Sequence, residues 1–231
     1  KMPGVIKVIT HQDIKANGGT NQMAEANLHE RSTVTLPSRK ILCDDKIFRY
    51  GDVVALAIAH TPAQARAAAA KVTVRVEPLP EYLTYLDAVM PDAVRVHDDT
   101  PNLFCCQPVL KGDALTDAET VPDILDHSAC SVEGSFHSSR EPHLSIEGCT
   151  VQAYFDEDDC LTFQCKSQGL YTSISRIGSS LGVPRDKLRV INNFTGASFG
   201  WSTNAGDLCL AGAAAVAVNG PVALSLSYGE H

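Results

Sequence analysis

The stretch Asn193-Phe194-Thr195-Gly196-Ala197-Ser198-Phe199-Gly200-Trp201-Ser202 holds the residues of this chain best suited to a ligand. Its small residues let the main chain approach a bulky anionic group closely. The stretch joins an expected strand to an expected helix, whose first N–H groups would favour a phosphate or an oxyanion. Phe194, Phe199 and Trp201 could wall off water. The plainer reading is a strand-to-helix turn, because the loop lacks the glycine spacing of dinucleotide and P-loop sites.

Two further groups of residues could bind metal. His143 and Glu147 have the spacing of helix neighbours, but Pro142 weakens a helix there and two ligands do not define a site. A structural hydrogen bond is the favoured reading for them, as for His60. The eight cysteines, at 43, 105, 106, 130, 149, 160, 165 and 209, contain no C-x-x-C pair, which argues against the common zinc and iron–sulfur spacings. Several flank apolar runs, as Cys130 does before Ser131-Val132 and Cys165 after Phe163. Buried thiols are favoured over disulfides or a metal site, and reduced thiols point to the cytoplasm.

The elements that would carry these residues follow from periodicity. Val5 to Ile9 reads as a strand, His11 to Lys15 as a helical turn, and Asn17 to Pro37 as a long loop. Asp52 to Ala59 is expected to be a short buried strand. Thr61 as N-cap and Pro62 at the first helical position then open an Ala-rich helix from Ala63 to Lys71. The alternating Val72-Thr73-Val74-Arg75-Val76 predicts a returning strand. After an extended connection over 86–118, strands are expected at Ser131–His137, Cys149–Phe155, Leu161–Cys165, Leu188–Ile191 and Val222–Tyr228. Helices are expected over Gly169–Leu181, stopped by Gly182, and over Gly206–Val218, closed by Asn219-Gly220.

Composition narrows the function classes. At 231 residues, with 44% hydrophobic and 20% charged, the chain can bury a core as one large domain or two smaller ones. A net charge of −8 without a Lys/Arg run argues against a nucleic-acid surface. No segment has the roughly 20 apolar residues of a membrane helix. The first residues carry neither an initiator Met nor an apolar signal core, so the chain is expected to begin inside a longer product.

Several blocks, taken in order, resemble the large subunit of molybdenum hydroxylases of the aldehyde oxidoreductase and xanthine dehydrogenase family. Met2-Pro3-Gly4-Val5, Val8-Ile9-Thr10 and Asp13-Ile14 are similar to the family's hammerhead-like α/β domain. Leu42-Cys43-Asp44-Asp45-Lys46, Tyr50 to Leu56, the Ala-rich helix and Val76-Glu77-Pro78-Leu79-Pro80 continue it. Ser131 to Phe136, Arg140-Glu141-Pro142-His143, Glu147, Lys166-Ser167-Gln168 and Gly196-Ala197-Ser198-Phe199-Gly200 resemble the opening of its molybdopterin-binding region. The bacterial aldehyde oxidoreductases look most alike.

The resemblance implies an α+β fold, with a hammerhead-like domain over 1–85 and the first part of an α+β cofactor domain over 119–231. It places Gln168 near the metal's oxo ligand, where its amide could donate to a developing oxyanion; the alternative is a strand-end Gln capping the next helix. It assigns Gly196, Ser198, Phe199, Gly200 and Trp201 to the molybdopterin; the alternative for Phe199 is a core aromatic. No protein side chain is expected to ligate the metal. The usual Gly-Gly before the Phe is loosened here to Gly196-Ala197-Ser198. Ser202 stands where a lysine is common, and Thr203 near the acidic substrate contact of xanthine-type enzymes, which disfavours a purine and leaves an aldehyde.

In such enzymes a carbonyl or heteroaromatic carbon is hydroxylated with oxygen from water, and iron–sulfur clusters carry the electrons away. The catalytic glutamate and those clusters are expected in parts of the parent outside this chain, which alone should be inactive. The rest of the enzyme is thus the implied partner, with a homodimer of the parent as one option. The apolar helix Gly206–Val218 and the strand after it are expected to need a missing partner. Two other classes stand beside this reading: a scaffold subunit that kept the fold and lost the site, and an unrelated metal-thiolate protein.

Overall fold

The computed structural model describes residues 2–23, 37, 39–104, 120–139, 141–203 and 205–230. These fall into two compact units, one of residues 2–23, 37, 39–81 and 143–230, the other of 82–104 and 120–142. In chain order the first begins with β1 (Val5–Ile9), α1 (His11–Ala16), β2 (Gln22–Met23), β3 (Arg39–Lys40), β4 (Leu56–Ala59) and α2 (Pro62–Ala69). The second unit contributes α3 (Tyr85–Ala88) and α4 (Thr120–Asp126). The first resumes with β5 (Thr150–Phe155), β6 (Leu161–Cys165), α5 (Leu170–Leu181), β7 (Leu188–Asn192), α6 (Gly206–Val218) and β8 (Val222–Ser225).

Local sequence explains the helix starts. The Asp13 carboxylate accepts the Thr10 N–H at 2.9 Å and the Thr10 hydroxyl accepts the Gln12 N–H at 3.3 Å, satisfying donors that open α1. That N–H from Thr10, with Lys7 adding charge, holds the Asp13 carboxyl below the usual carboxylate range. Thr61 caps α2 through the Gln64 N–H at 3.3 Å, with Pro62 in its first turn.

β1 pairs antiparallel with β4, and β2 with β3. The main sheet runs β7-β6-β5-β8, with β6 and β7 parallel and the other pairs antiparallel. Val151, Ala153, Leu161, Phe163, Cys165 and Leu188 turn one face of it toward α5 and α6. The other face carries exposed Gln152 and Arg189 and the half-buried Gln164. Alternation sorts core from surface along β5, while in β6 Thr162 is buried as well, its hydroxyl bonded to Asp156.

Helix α6 is apolar on all sides because it is the centre of the unit. Leu208 to Ala215 are buried, and Ile9, Ile14, Ile41 and Leu42 belong to the same core. At Gly212 an added Cβ would lie 2.6 Å from Leu181 Cδ1 and 2.9 Å from Phe163 Cζ, so only glycine lets α6 sit this close. Gly182 ends α5 at φ +72°, in the left-handed region, directly against the carbonyl of Gly18.

The second unit is held by polar ties. Asn102 donates to the carbonyls of Ala88 at 2.8 Å and Val94 at 3.0 Å and accepts the Val96 N–H at 2.9 Å.

Several expectations need correction. Among the described residues Val72 to Val76 pairs with no strand, and its three valines are exposed. Ser131 to His137 forms no ladder either; Val132 is 93% and Phe136 97% exposed. Alternation makes a strand only where an edge is available to pair with. Cys130, beside that run, is exposed rather than buried. Pairing over 52–59 is confined to Leu56–Ala59, and β8 ends at Ser225 rather than Tyr228. Leu208 to Ala215 of α6 are buried within this unit, while Val216, Ala217 and Val218 are half-buried. Of the expected loop at 17–37, Gln22–Met23 forms β2; residues 24–36 lie outside the described residues, as do Cys105 and Cys106. No described helix is long and apolar enough to cross a membrane.

Candidate functional site

The carboxyl ends of the parallel strands β6 and β7 open onto the same edge of the sheet. β6 runs into Lys166-Ser167-Gln168 and β7 into Asn193 to Thr203, an arrangement in which ligands commonly settle. An open recess of about 700 Å³ lies there, lined by Ser167, Asn192, Asn193, Phe194 and Thr195.

Hydrogen bonds lock these segments together. The Ser167 N–H donates to Asn192 Oδ1 at 2.8 Å, and the Asn193 N–H to the Cys165 carbonyl at 2.8 Å. The Gln168 N–H donates to the Ser202 carbonyl at 3.1 Å, and Arg176 of α5 donates to that of Thr203 at 3.2 Å. Gln168 is exposed, and Gly169 is the N-cap of α5, which has no side-chain cap, so Gln168 is not a capping residue.

The loop itself is a succession of turns. The Ser198 hydroxyl, buried, accepts the Ser202 N–H at 2.7 Å, and its carbonyl accepts the Trp201 N–H at 3.1 Å. Phe199 has φ +48° and Gly200 φ +90°. A bulky residue in the left-handed region is uncommon, and such strain gathers at functional loops. The Phe199 ring is 77% exposed, so it is not a core aromatic; Phe194 is exposed as well. Neither ring closes off water within the chain. Above Gly200 nothing lies within 4 Å of where a Cβ would sit.

Trp201 is fixed from two sides. Its Nε1 donates to Asp207 at 3.2 Å, and its ring stacks on His143 with centroids 4.6 Å apart and planes 8° from parallel. Asp207 is an acid in the first turn of α6, beside the helix start expected to favour an anion, and that start carries no side-chain cap. Beneath the loop, burial pushes the thiols of Cys149 up to about 12 and Cys165 to about 11, with Asp207 adding to both. They are inert neutral thiols at neutral pH.

Gln168, Gly196, Ser198, Phe199, Gly200 and Trp201 therefore lie on two adjoining loops at one sheet edge. His143 and Glu147 also come to this edge, as supports: Glu147 accepts the Gly196 N–H at 2.6 Å. Among the described residues no group of three or more His, Cys, Asp or Glu is placed to hold a metal. Sequence reasoning missed Asn192 as part of the site, and it placed Glu147 and Lys166 only in resembling blocks, without the contact between them. Asn192 left no local signal, whereas Lys166 stands out as a charged residue directly following the buried run of β6.

The chain belongs to the molybdopterin cofactor-binding domain family, whose description matches residues 96–231. Residues 1–80 match the a/b hammerhead domain of aldehyde oxidase and xanthine dehydrogenase. It is 36% identical to an aldehyde oxidoreductase of Megalodesulfovibrio gigas, over 98% of this chain and 24% of that protein. The solved aldehyde oxidoreductase from Desulfovibrio gigas superposes with a TM-score of 0.85 at 37% identity, over 97% of this chain and 24% of that one. The large molybdopterin subunit of nicotinate dehydrogenase from Eubacterium barkeri is 29% identical over 74% of this chain and 38% of its own length. The chain thus spans about a quarter of the aldehyde oxidoreductases it matches, and its α+β fold is theirs.

The residues at the sheet edge suit a molybdopterin. The left-handed Phe199-Gly200 turn leaves open space above Gly200, and Phe199 and Gln168 face outward beside it.

Proposed function

We propose that this chain is the cofactor-holding core of an enzyme that hydroxylates aldehydes to carboxylic acids with oxygen taken from water. The observation that carries this reading is the convergence of Gln168 with the Phe199-Gly200 turn at the ends of two parallel strands, in a chain similar to aldehyde oxidoreductases.

Gly196, Ser198, Phe199, Gly200 and Trp201 would hold the molybdopterin, which when bound supplies oxygen transfer and accepts two electrons. The chain contributes position and charge stabilisation. The Gln168 amide donates to the oxyanion that develops on the substrate, with no change of its own charge. Phe199 would pack against the cofactor from its exposed position on the turn. Trp201, pinned by Asp207 and His143, backs the turn. Thr203 offers no carboxylate for a purine, which favours an aldehyde. The catalytic base and the iron–sulfur clusters belong to parts of the protein outside this chain, so the 231 residues alone do not turn over aldehyde. Its neutral buried thiols fit a reducing cytoplasm.

Aldehyde oxidation in ¹⁸O-water tests this. The natural full-length protein should yield acid labelled from water, and the isolated chain no product. Unlabelled acid, or turnover by the isolated chain, contradicts the proposal.

A further inference from the structure

Lys166 directly follows β6, and its side chain is only 7% exposed. Its ammonium donates to the Glu147 carbonyl at 2.6 Å and the Ala197 carbonyl at 3.3 Å, and lies 3.8 Å from the Glu147 carboxylate. That carboxylate in turn accepts the Gly196 N–H at 2.6 Å. A Cβ at Gly196 would stand 2.8 Å from the same oxygen, so the loop sits hard against the acid. One ion pair therefore grips both peptide units that lead into Ser198-Phe199-Gly200. A few residues on, His143 stacks against Trp201 and supports the far side of the turn.

An ion pair of a buried lysine and a half-buried glutamate is a poor source of net stability, because desolvation of the lysine cancels much of the attraction. What this pair supplies is direction. The ammonium donates to two carbonyls that belong to different chain segments, with the Glu147 carboxylate at ion-pair distance. We infer that Lys166 and Glu147 are positioning residues, a charged clamp that sets the conformation of the cofactor-facing loop 193–200 without touching the reacting atoms. Its link to catalysis rests on the function proposed above; the clamp itself rests on the contacts alone.

Variants Lys166→Met, Lys166→Arg and Glu147→Gln of the natural full-length protein test it, read by peptide-resolved hydrogen exchange, molybdenum content and steady-state kinetics. K166M should raise exchange at least tenfold in peptides covering 194–200, with 150–165 unchanged. It should lower kcat at least tenfold with KM within threefold, and K166R should recover most of both losses. E147Q keeps an acceptor for the Gly196 N–H, so it should loosen the loop less than K166M; it also serves if K166M fails to fold. Unchanged exchange over 194–200, or a rise spread evenly through β5 and β6, overturns the clamp. A protein without molybdenum would refute the proposed function, while the exchange pattern would still decide the clamp.

Discussion

The main-chain N–H of Gln168 donates to the carbonyl of Ser202 at 3.1 Å, joining the end of β6 to the loop that follows β7. The backbone of Gln168 is thereby fixed while its side chain stays exposed. Replacing that side chain should leave the fold intact, since exposed substitutions typically stay within about 0.5 kcal/mol. In the natural full-length protein, Gln168→Ala is expected to lower kcat by about 10²-fold, the scale of losing one oxyanion donor, at unchanged molybdenum content. An unchanged kcat would remove Gln168 from the mechanism.

Asn21, fully buried at φ +60°, uses its carboxamide as a strand would use a peptide. It donates to the Leu42 carbonyl at 2.8 Å and accepts the Leu42 N–H at 3.1 Å. Asn21→Ala would strand both groups in a dry core, at a cost of about 1–3 kcal/mol each. Urea unfolding of the chain, followed through its one tryptophan, should show a clearly lower midpoint. A midpoint equal to that of the parent chain would contradict this account.

Much of this was legible in the sequence where the signal is local. Thr61-Pro62 opens α2, Gly182 stops α5, and the strands at 150–155, 161–165 and 188–192 lie where alternation and apolar runs put them. The order of blocks resembling molybdenum hydroxylases marked both loops of the site. Features that depend on remote partners were hidden. Nothing local tells that Val72–Val76 finds no edge to pair with, or that α6 is covered by Ile9 and Leu42. Glu147 and Lys166 meet across 19 residues, and only the antiparallel pairing of β5 with β6 brings them together.

The buried cysteines give a prediction with a pH sign. Burial raises the thiols of Cys165 to about 11 and of Cys149 and Cys209 to about 12, above the ordinary 9.0. Their contribution to stability is therefore complete below pH 9 and is lost as pH climbs through 11 and 12. From neutral pH the thiols should leave the unfolding free energy level up to pH 9 and lower it beyond, and Cys149→Ala should flatten part of that fall. At pH 8, alkylation mapped by mass spectrometry should, among the described cysteines, modify exposed Cys130 first, Cys43 next and Cys149, Cys160, Cys165 and Cys209 last. Rapid labelling of the last four would contradict the packing described here.

The central claim is that the loops after β6 and β7 hold a molybdopterin. Its most direct test is the molybdenum and pterin content of the natural full-length protein purified from a host that makes the cofactor. One molybdenum and bound pterin per chain are expected, with both reduced when Gly200→Val fills the open space above the turn. A pure, folded protein holding neither molybdenum nor pterin would contradict the account.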